Sequence, residues 1–200
     1  MAGNEVLFEV ADGVAVTTIN RPERLNAVNG AVLDGLGRAF DRIATDREIR
    51  VAVLTATGTR AFTAGIDLTV VQDDEEAFRR FVERELVEMY ARVARLRTPV
   101  IAAVEGIAYA TGSELLFNCD IVYAGQGARF CFPDLNLGLG AATPVWGATD
   151  RLNRTRLAEL AYTGAEFGPE EARELGLVTR VVGEGAALAA ARETAATIAA

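Results

Sequence analysis

Three short, uninterrupted apolar runs, Val51 to Leu54, Ile101 to Val104 and Ile121 to Tyr123, set the strongest limit on what this chain can fold into. A strand that is apolar at every position, rather than at alternate ones, is buried on both faces, as in parallel sheets covered by helices. Between the first two runs, Phe78, Val82, Leu86, Met89, Val93 and Leu96 recur at helical spacing until Thr98-Pro99 stops the helix. Strand, helix, strand in that order is a crossover unit, so the expected class is α/β. Upstream, Val6 to Val10 and Val14 to Ile19 flank Ala11-Asp12-Gly13 as a hairpin that Asn20-Arg21-Pro22 ends. Val32, Leu33, Leu36, Phe40 and Ile43 then share a helical face, although Gly35 and Gly37 weaken that helix and leave tertiary packing to hold it. Beyond Pro144 the pattern is mainly helical, with one short strand expected at Leu177 to Val182.

The 200 residues, 50% hydrophobic and 24% charged, contain no linker, so one domain spanning residues 1 to 200 is expected. Every cation is an arginine, because lysine and histidine are absent. That removes the Walker phosphate loop, Schiff-base chemistry, the Ser-His-Asp triad and imidazole-bound metal. Acid–base work therefore falls to carboxylates, tyrosines or the backbone. A net charge of −8 speaks against a nucleic-acid surface. No apolar run has the length of a membrane span, and MAGNEVLFEVADG lacks the features of an export signal, so the expected compartment is the cytoplasm. Cys119 and Cys131 lie in apolar stretches and read as buried thiols.

Three segments can carry chemistry. Ala61 to Leu68 reads on spacing as a strand-to-helix loop in which Gly65 supplies an unusual backbone angle; a bend there also leaves a backbone N–H free for a developing oxyanion. Val104 to Leu116 runs from a buried strand through a glycine-punctuated loop into a short helix whose first N–H groups lack internal partners. Glu114 in its first turn either offsets the helix dipole or does acid–base work. In Phe130 to Gly138, Asp134 taken alone is a turn or cap residue. Gly138-Leu139-Gly140 is no dinucleotide loop, since Thr143 stands where the third glycine belongs.

The order of these segments resembles the crotonase (enoyl-CoA hydratase/isomerase) superfamily. Its N-R-P…L-N-A segment is matched at Asn20 to Ala27, F-x-A-G-x-D at Phe62 to Asp67, and P-V-I-A-A-V-x-G at Pro99 to Gly106. The x-x-G-x-E-L stretch falls at Gly112 to Leu115, C-D-I-x-Y-A at Cys119 to Ala124, F-x-x-P-[DE]-x-x-L-G at Phe130 to Gly138, and G-L-V at Gly176 to Val178. The resemblance runs from about residue 5 to residue 200.

It implies a spiral of ββα units, usually assembled as homotrimers or pairs of trimers, that binds an acyl-CoA thioester; coenzyme A is then part of the substrate and no separate cofactor is needed. Carried over by position, the oxyanion N–H groups belong to Ile66 and Thr111, the acidic pair is Glu114 and Asp134, and Arg24, Leu25, Ala27, Ala64 and Asp67 contact the CoA moiety. The implied reaction is syn addition of water to a 2-enoyl-CoA. A Δ3,Δ2-enoyl-CoA isomerase, suggested by the aromatic stretch Pro144-Val145-Trp146, and an acyl-CoA-binding protein without turnover are the alternatives. The family usually has glycine at Thr111, so a β-branched residue is expected in a tight bend, and Asp134 stands where hydratases usually carry the longer glutamate. Relative to the family the chain also ends early, at Ala200, with the usual further C-terminal helices expected to be missing.

Overall fold

The structure, a computed structural model, describes residues 5–71, 75–138 and 152–200. Thr143 and the stretch Pro144-Val145-Trp146 lie outside the described residues. In chain order the strands are β1 (Val6–Ala11), β2 (Val14–Ile19), β3 (Val51–Ala56), β4 (Ala61–Thr63), β5 (Val100–Val104), β6 (Ile107–Tyr109), β7 (Ile121–Gly125), β8 (Arg129–Cys131) and β9 (Arg180–Val182). The helices are α1 (Gly30–Thr45), α2 (Glu75–Arg80), α3 (Val87–Ala94), α4 (Thr111–Leu115), α5 (Arg154–Thr163), α6 (Pro169–Leu175) and α7 (Ala187–Ala199).

The apolar runs are the parallel interior of a six-stranded sheet ordered β1-β2-β3-β5-β7-β9. β1 and β2 pair antiparallel at its edge. Asp12 and Gly13 join them with φ of 51° and 78°, the paired positive angles of the hairpin turn that matches strand twist. Residues of β3 alternate in destination. Ala52 and Leu54 enter the main core with Leu36, Phe40, Met89 and Val93, whereas Val51 and Val53 join Ile101, Ala103 and Tyr123 under α7. α7 answers with Ala187, Ala191, Ala195 and Ala199, an every-fourth stripe of small side chains that lets the helix lie close to the sheet. Asn29 caps α1 by accepting from Val32 N–H at 2.9 Å. Gly35 answers the doubt about that helix: a Cβ there would lie 2.7 Å from Val6 Cβ, so the glycine permits α1 to press on β1.

Two expectations need correction. α2 passes into α3 through a π-helical turn, Phe81–Leu86, whose wider winding places residues five apart on one side. Phe81, Leu86, Met89, Tyr90 and Val93 are therefore the buried set, and Val82 is only half-buried. The strand expected at Leu177 to Val182 shortens to β9, because the Leu177 and Val178 N–H groups both donate to Ala172 O, closing α6 after a left-handed Gly176 (φ 92°). Cys119 and Cys131 are buried and unbridged. Among the described residues no helix is long and apolar enough to cross a membrane.

What positions the site is a second, three-stranded parallel sheet, β4-β6-β8. Each of its strands follows one of the long interior strands, so the chain repeats a long strand, a short strand and then helix.

Candidate active site

Parallel strands send their chain out at the same edge, and ligands of α/β folds collect at that edge. Beyond β4 come Ala64 to Asp67, beyond β6 come Ala110 to Glu114, and beyond β8 come Phe132 to Asp134. The three chemistry-bearing segments, separated by tens of residues in sequence, thus leave the small sheet side by side.

The first two are in direct contact. Gly65 has φ of 98°, and a Cβ on it would lie 3.1 Å from Ala110 Cβ and 3.2 Å from Tyr109 O. A Cβ on Gly112 would meet Thr63 Cγ2 at 2.8 Å. The backbone of Ile66 pairs with Val28: Gly65 O accepts from Val28 N–H and Asp67 N–H donates to Val28 O, each at 2.8 Å. In such a parallel bridge the N–H of Ile66 itself turns to the side opposite Val28. Thr111 opens α4, where a first-turn N–H has no acceptor within the helix.

The tight bend expected at Thr111 falls one residue earlier. Thr111 takes the first helical position, which any L-residue adopts, while Ala110 carries φ 47° and ψ −116°. That conformation belongs to glycine at the first central position of a mirror-image turn, and holding a side chain in it costs roughly 1–3 kcal/mol. Ala110→Gly is therefore expected to raise stability by about 1 kcal/mol, after its larger unfolded-state entropy is offset, with the transition midpoint in urea as the readout.

Glu114 is 6% exposed and accepts a hydrogen bond from the Tyr90 hydroxyl at Oε2, 2.6 Å away. Burial, then the charge of Asp134, pushes its pKa up to about 7, against the opposing effect of Tyr90. Asp134 opens a 3-10 turn, Asp134–Leu137, after Pro133. Its Oδ2 is buried without a hydrogen-bond partner, and burial raises its pKa too. Two carboxyl groups close enough to repel hold their protons more tightly than either would alone, which suits a pair that shares one proton near neutral pH. The Thr111 hydroxyl lies beside Tyr90, where it draws the phenol pKa down, yet outside hydrogen-bond geometry with any group. The phenol as a whole is held well above its usual range by burial, then by Glu114.

A cleft of about 470 Å³ is lined by Arg24, Ala27, Ala64, Ile66, Asp67, Leu68, Phe78, Ala110, Pro133 and Asp134. Of the residues singled out in the sequence, it gathers Arg24, Ala27, Ala64, Ile66, Asp67 and Asp134. Thr111, buried and next in the chain to Ala110, does not line it, and Leu25 takes part through its carbonyl, which accepts from Ala64 N–H at 3.0 Å. Glu114 lines a neighbouring cavity of about 310 Å³ with Val87, Tyr90, Ala91, Ala94, Phe117 and Asn118 rather than the cleft itself, and the charge of Asp134, which does line the cleft, raises its pKa.

The motif at Asn20 to Ala27 is the scaffold of this wall. Leu25 and Asn26 both have positive φ, 50° and 55°. The Asn26 side chain holds them there, accepting from Arg21 N–H at 2.8 Å and donating to Ala61 O at 2.7 Å and Thr57 O at 3.1 Å. Arg21 donates to Ala27 O at 2.6 Å and to Asp67 Oδ2 at 3.0 Å. Asp67 is thus engaged within the protein: the Thr69 hydroxyl, its N–H and the Arg21 guanidinium hold its carboxyl below the usual range, against some burial.

Sequence reasoning missed Tyr90 and Ala110. Tyr90 carried one usable signal, a phenol one residue past Met89 on a core-facing helix, which must find a partner for its hydroxyl once buried. Ala110 carried none.

With the geometry in place, comparison with other proteins is informative. A family profile described as enoyl-CoA hydratase/isomerase matches residues 9–200. The short-chain-enoyl-CoA hydratase of Clostridium acetobutylicum is 35% identical over 196 residues, covering 96% of this chain and 74% of that one. The probable peroxisomal enoyl-CoA hydratase 1 of Arabidopsis thaliana is 36% identical over 187 residues, 92% of this chain and 68% of its own. The solved enoyl-CoA hydratase of Bacillus anthracis matches 98% of this chain and 77% of its own with a TM-score of 0.92 at 31% identity.

Proposed function

This chain belongs to the enoyl-CoA hydratase/isomerase family, and from that premise we propose that it adds water across the double bond of a 2-enoyl-CoA. What supports the reading is that the segments carrying Ile66, Thr111 with Glu114, and Asp134 follow β4, β6 and β8, which pair side by side in the small sheet, with Gly65 packed against Ala110 and the charge of Asp134 acting on Glu114. In this reading the N–H groups of Ile66 and Thr111 bind the thioester oxygen as it gains enolate charge, and a preorganised donor of this kind contributes about 2.7–4 kcal/mol. The ionised carboxyl takes a proton from water as its oxygen bonds to C3, and the protonated carboxyl delivers its proton to C2. The pair ends with its one proton on the opposite member and re-equilibrates.

The CoA moiety enters past Arg24, whose exposed guanidinium suits its phosphates, and along the backbone of Leu25, Ala27, Ala64 and Asp67. Coenzyme A arrives as part of the substrate, so no separate cofactor is required. Assembly as a homotrimer or a pair of trimers belongs to the same proposal, and so does residence in the cytoplasm, where two unbridged cysteines stay reduced. The binding-only alternative keeps one of its two motives, since Thr111, the other, occupies ordinary helical backbone.

The test is direct. The purified protein is expected to bleach the conjugated thioester absorbance of crotonyl-CoA and to release a 3-hydroxyacyl-CoA. No loss of absorbance with crotonyl-CoA or longer 2-enoyl-CoAs, or rearrangement of 3-enoyl-CoAs alone, would rule the hydratase reading out.

A further inference from the structure

Tyr90 lies outside every motif that carries the family resemblance, yet its hydroxyl is 2.6 Å from the Glu114 carboxylate. We infer that Tyr90 is a positioning residue for the acid–base pair: its O–H holds Glu114 Oε2 and leaves Oε1 to face the reacting water. The consequence for turnover, though not the contact itself, rests on the hydratase reading.

The geometry is set by two helices. Tyr90 projects from α3, and Glu114 from α4, which packs on β6 and β4. Both side chains are buried, so breaking the bond leaves a carboxyl and a phenol that have each lost a partner in a largely desolvated place. A glutamate has three rotatable bonds, and although Asn118 lines the same cavity with Val87, Ala91, Ala94 and Phe117, among the described residues the Tyr90 hydroxyl is the hydrogen-bond partner that fixes the terminal rotation of Glu114. That donor also selects between the two oxygens.

A hydrogen bond from a neutral donor also favours the ionised carboxyl. The other groups around Glu114 act in the opposite sense or not at all. Asp134, from the turn after β8, repels the charge; β4 and the 3-10 turn Leu116–Asn118 bring no ionisable residue; Tyr109 of β6 donates its hydroxyl to Glu166 instead. Among the described residues no cation acts on Glu114, so Tyr90 is the one group that draws its proton affinity back toward neutrality.

The test uses Tyr90→Phe and two readouts. Infrared difference titration follows the protonated carboxyl band of Glu114, identified by its loss in Glu114→Gln, and needs no turnover. That titration is expected to move up by about one pH unit in Tyr90→Phe. The alkaline limb of the kcat/KM profile for crotonyl-CoA moves with it, while kcat falls about ten- to a hundredfold and KM changes by less than about twofold. Met89→Leu, which perturbs the same helix without touching the bond, is expected to move neither. An unmoved Glu114 titration in Tyr90→Phe overturns the inference. A titration that moves while the kcat/KM profile stays in place supports the role of Tyr90 and refutes the catalytic role of Glu114, so the two ideas fail separately.

Discussion

Replacing Glu114 by Gln is expected to lower kcat for crotonyl-CoA hydration by about 10²–10⁴-fold while making the fold more stable at pH 8. The loss of rate follows from removing half of a pair that must take one proton and deliver another. The gain in stability follows from where the carboxyl is. Burial, then Asp134, raises its pKa from 4.5 to about 7, although Tyr90 pulls the other way. Between those values the native protein keeps a proton that the unfolded chain has released, so stability falls as pH rises through that window. At pH 8 the full penalty of the buried charge is present, on the order of 3 kcal/mol. Gln cannot ionise, and its carbonyl still accepts from Tyr90. The variant should therefore be more stable than the parent at pH 8 by up to that amount and indistinguishable at pH 4, where both forms are neutral. Denaturant unfolding at the two pH values measures this. A variant that is less stable at pH 8 would mean that the carboxylate has a charge partner, and one retaining more than a tenth of the parental kcat would remove Glu114 from the mechanism. A residue that destabilises its own fold in order to hold a usable proton is the expected mark of a functional site.

The interior strands were legible for a physical reason. The runs Val51 to Leu54, Ile101 to Val104 and Ile121 to Tyr123 within β3, β5 and β7 are apolar at every position, and a few such residues in a row have few places to go. β4, β6 and β8 were not legible as strands, because three residues are too short to display a period and each is flanked by glycine or turn residues. Their pairing is decided by the long strands that deliver them. The π-helical turn at Phe81–Leu86 was hidden for a related reason, since a period of 3.6 was fitted across a stretch that winds more widely. The site lay between these extremes. Local chemistry left Asp134 a turn residue and Glu114 a dipole partner, and the order of motifs supplied the rest. Tyr90 and Ala110 had no such help. The bond from Tyr90 depends on the phase of α3 against α4, and the strained Ala110 packs against Gly65, which is 45 residues away in the chain. Both are tertiary facts.

That contact between Gly65 and Ala110 also carries the second large prediction, that Gly65→Ala lowers kcat about 10²–10³-fold with a much smaller effect on ground-state binding. Two things happen together at this position. The backbone sits at φ 98°, which an alanine adopts only under strain, and the new Cβ comes within 3.1 Å of Ala110 Cβ and 3.2 Å of Tyr109 O. Neither neighbour can yield freely, because Ala110 N–H donates to Cys131 O at 3.0 Å and Ala110 is already strained. The segments bearing the Ile66 and Thr111 N–H groups are therefore forced apart or rotated, and two donors that must meet one oxygen no longer do. The thioester oxygen carries little charge in the ground state and most of it in the enolate, so the loss falls on kcat more than on affinity. Saturated butyryl-CoA, which cannot be hydrated, should bind the variant within about tenfold of the parent by calorimetry, against the hundredfold or greater loss of turnover with crotonyl-CoA. Folding is monitored in parallel, because the strained backbone costs about 1–3 kcal/mol. A folded Gly65→Ala protein with nearly parental kcat would show that these two amides do not share the oxygen, and equal losses in binding and turnover would assign the contact to holding the CoA thioester in place rather than to its chemistry.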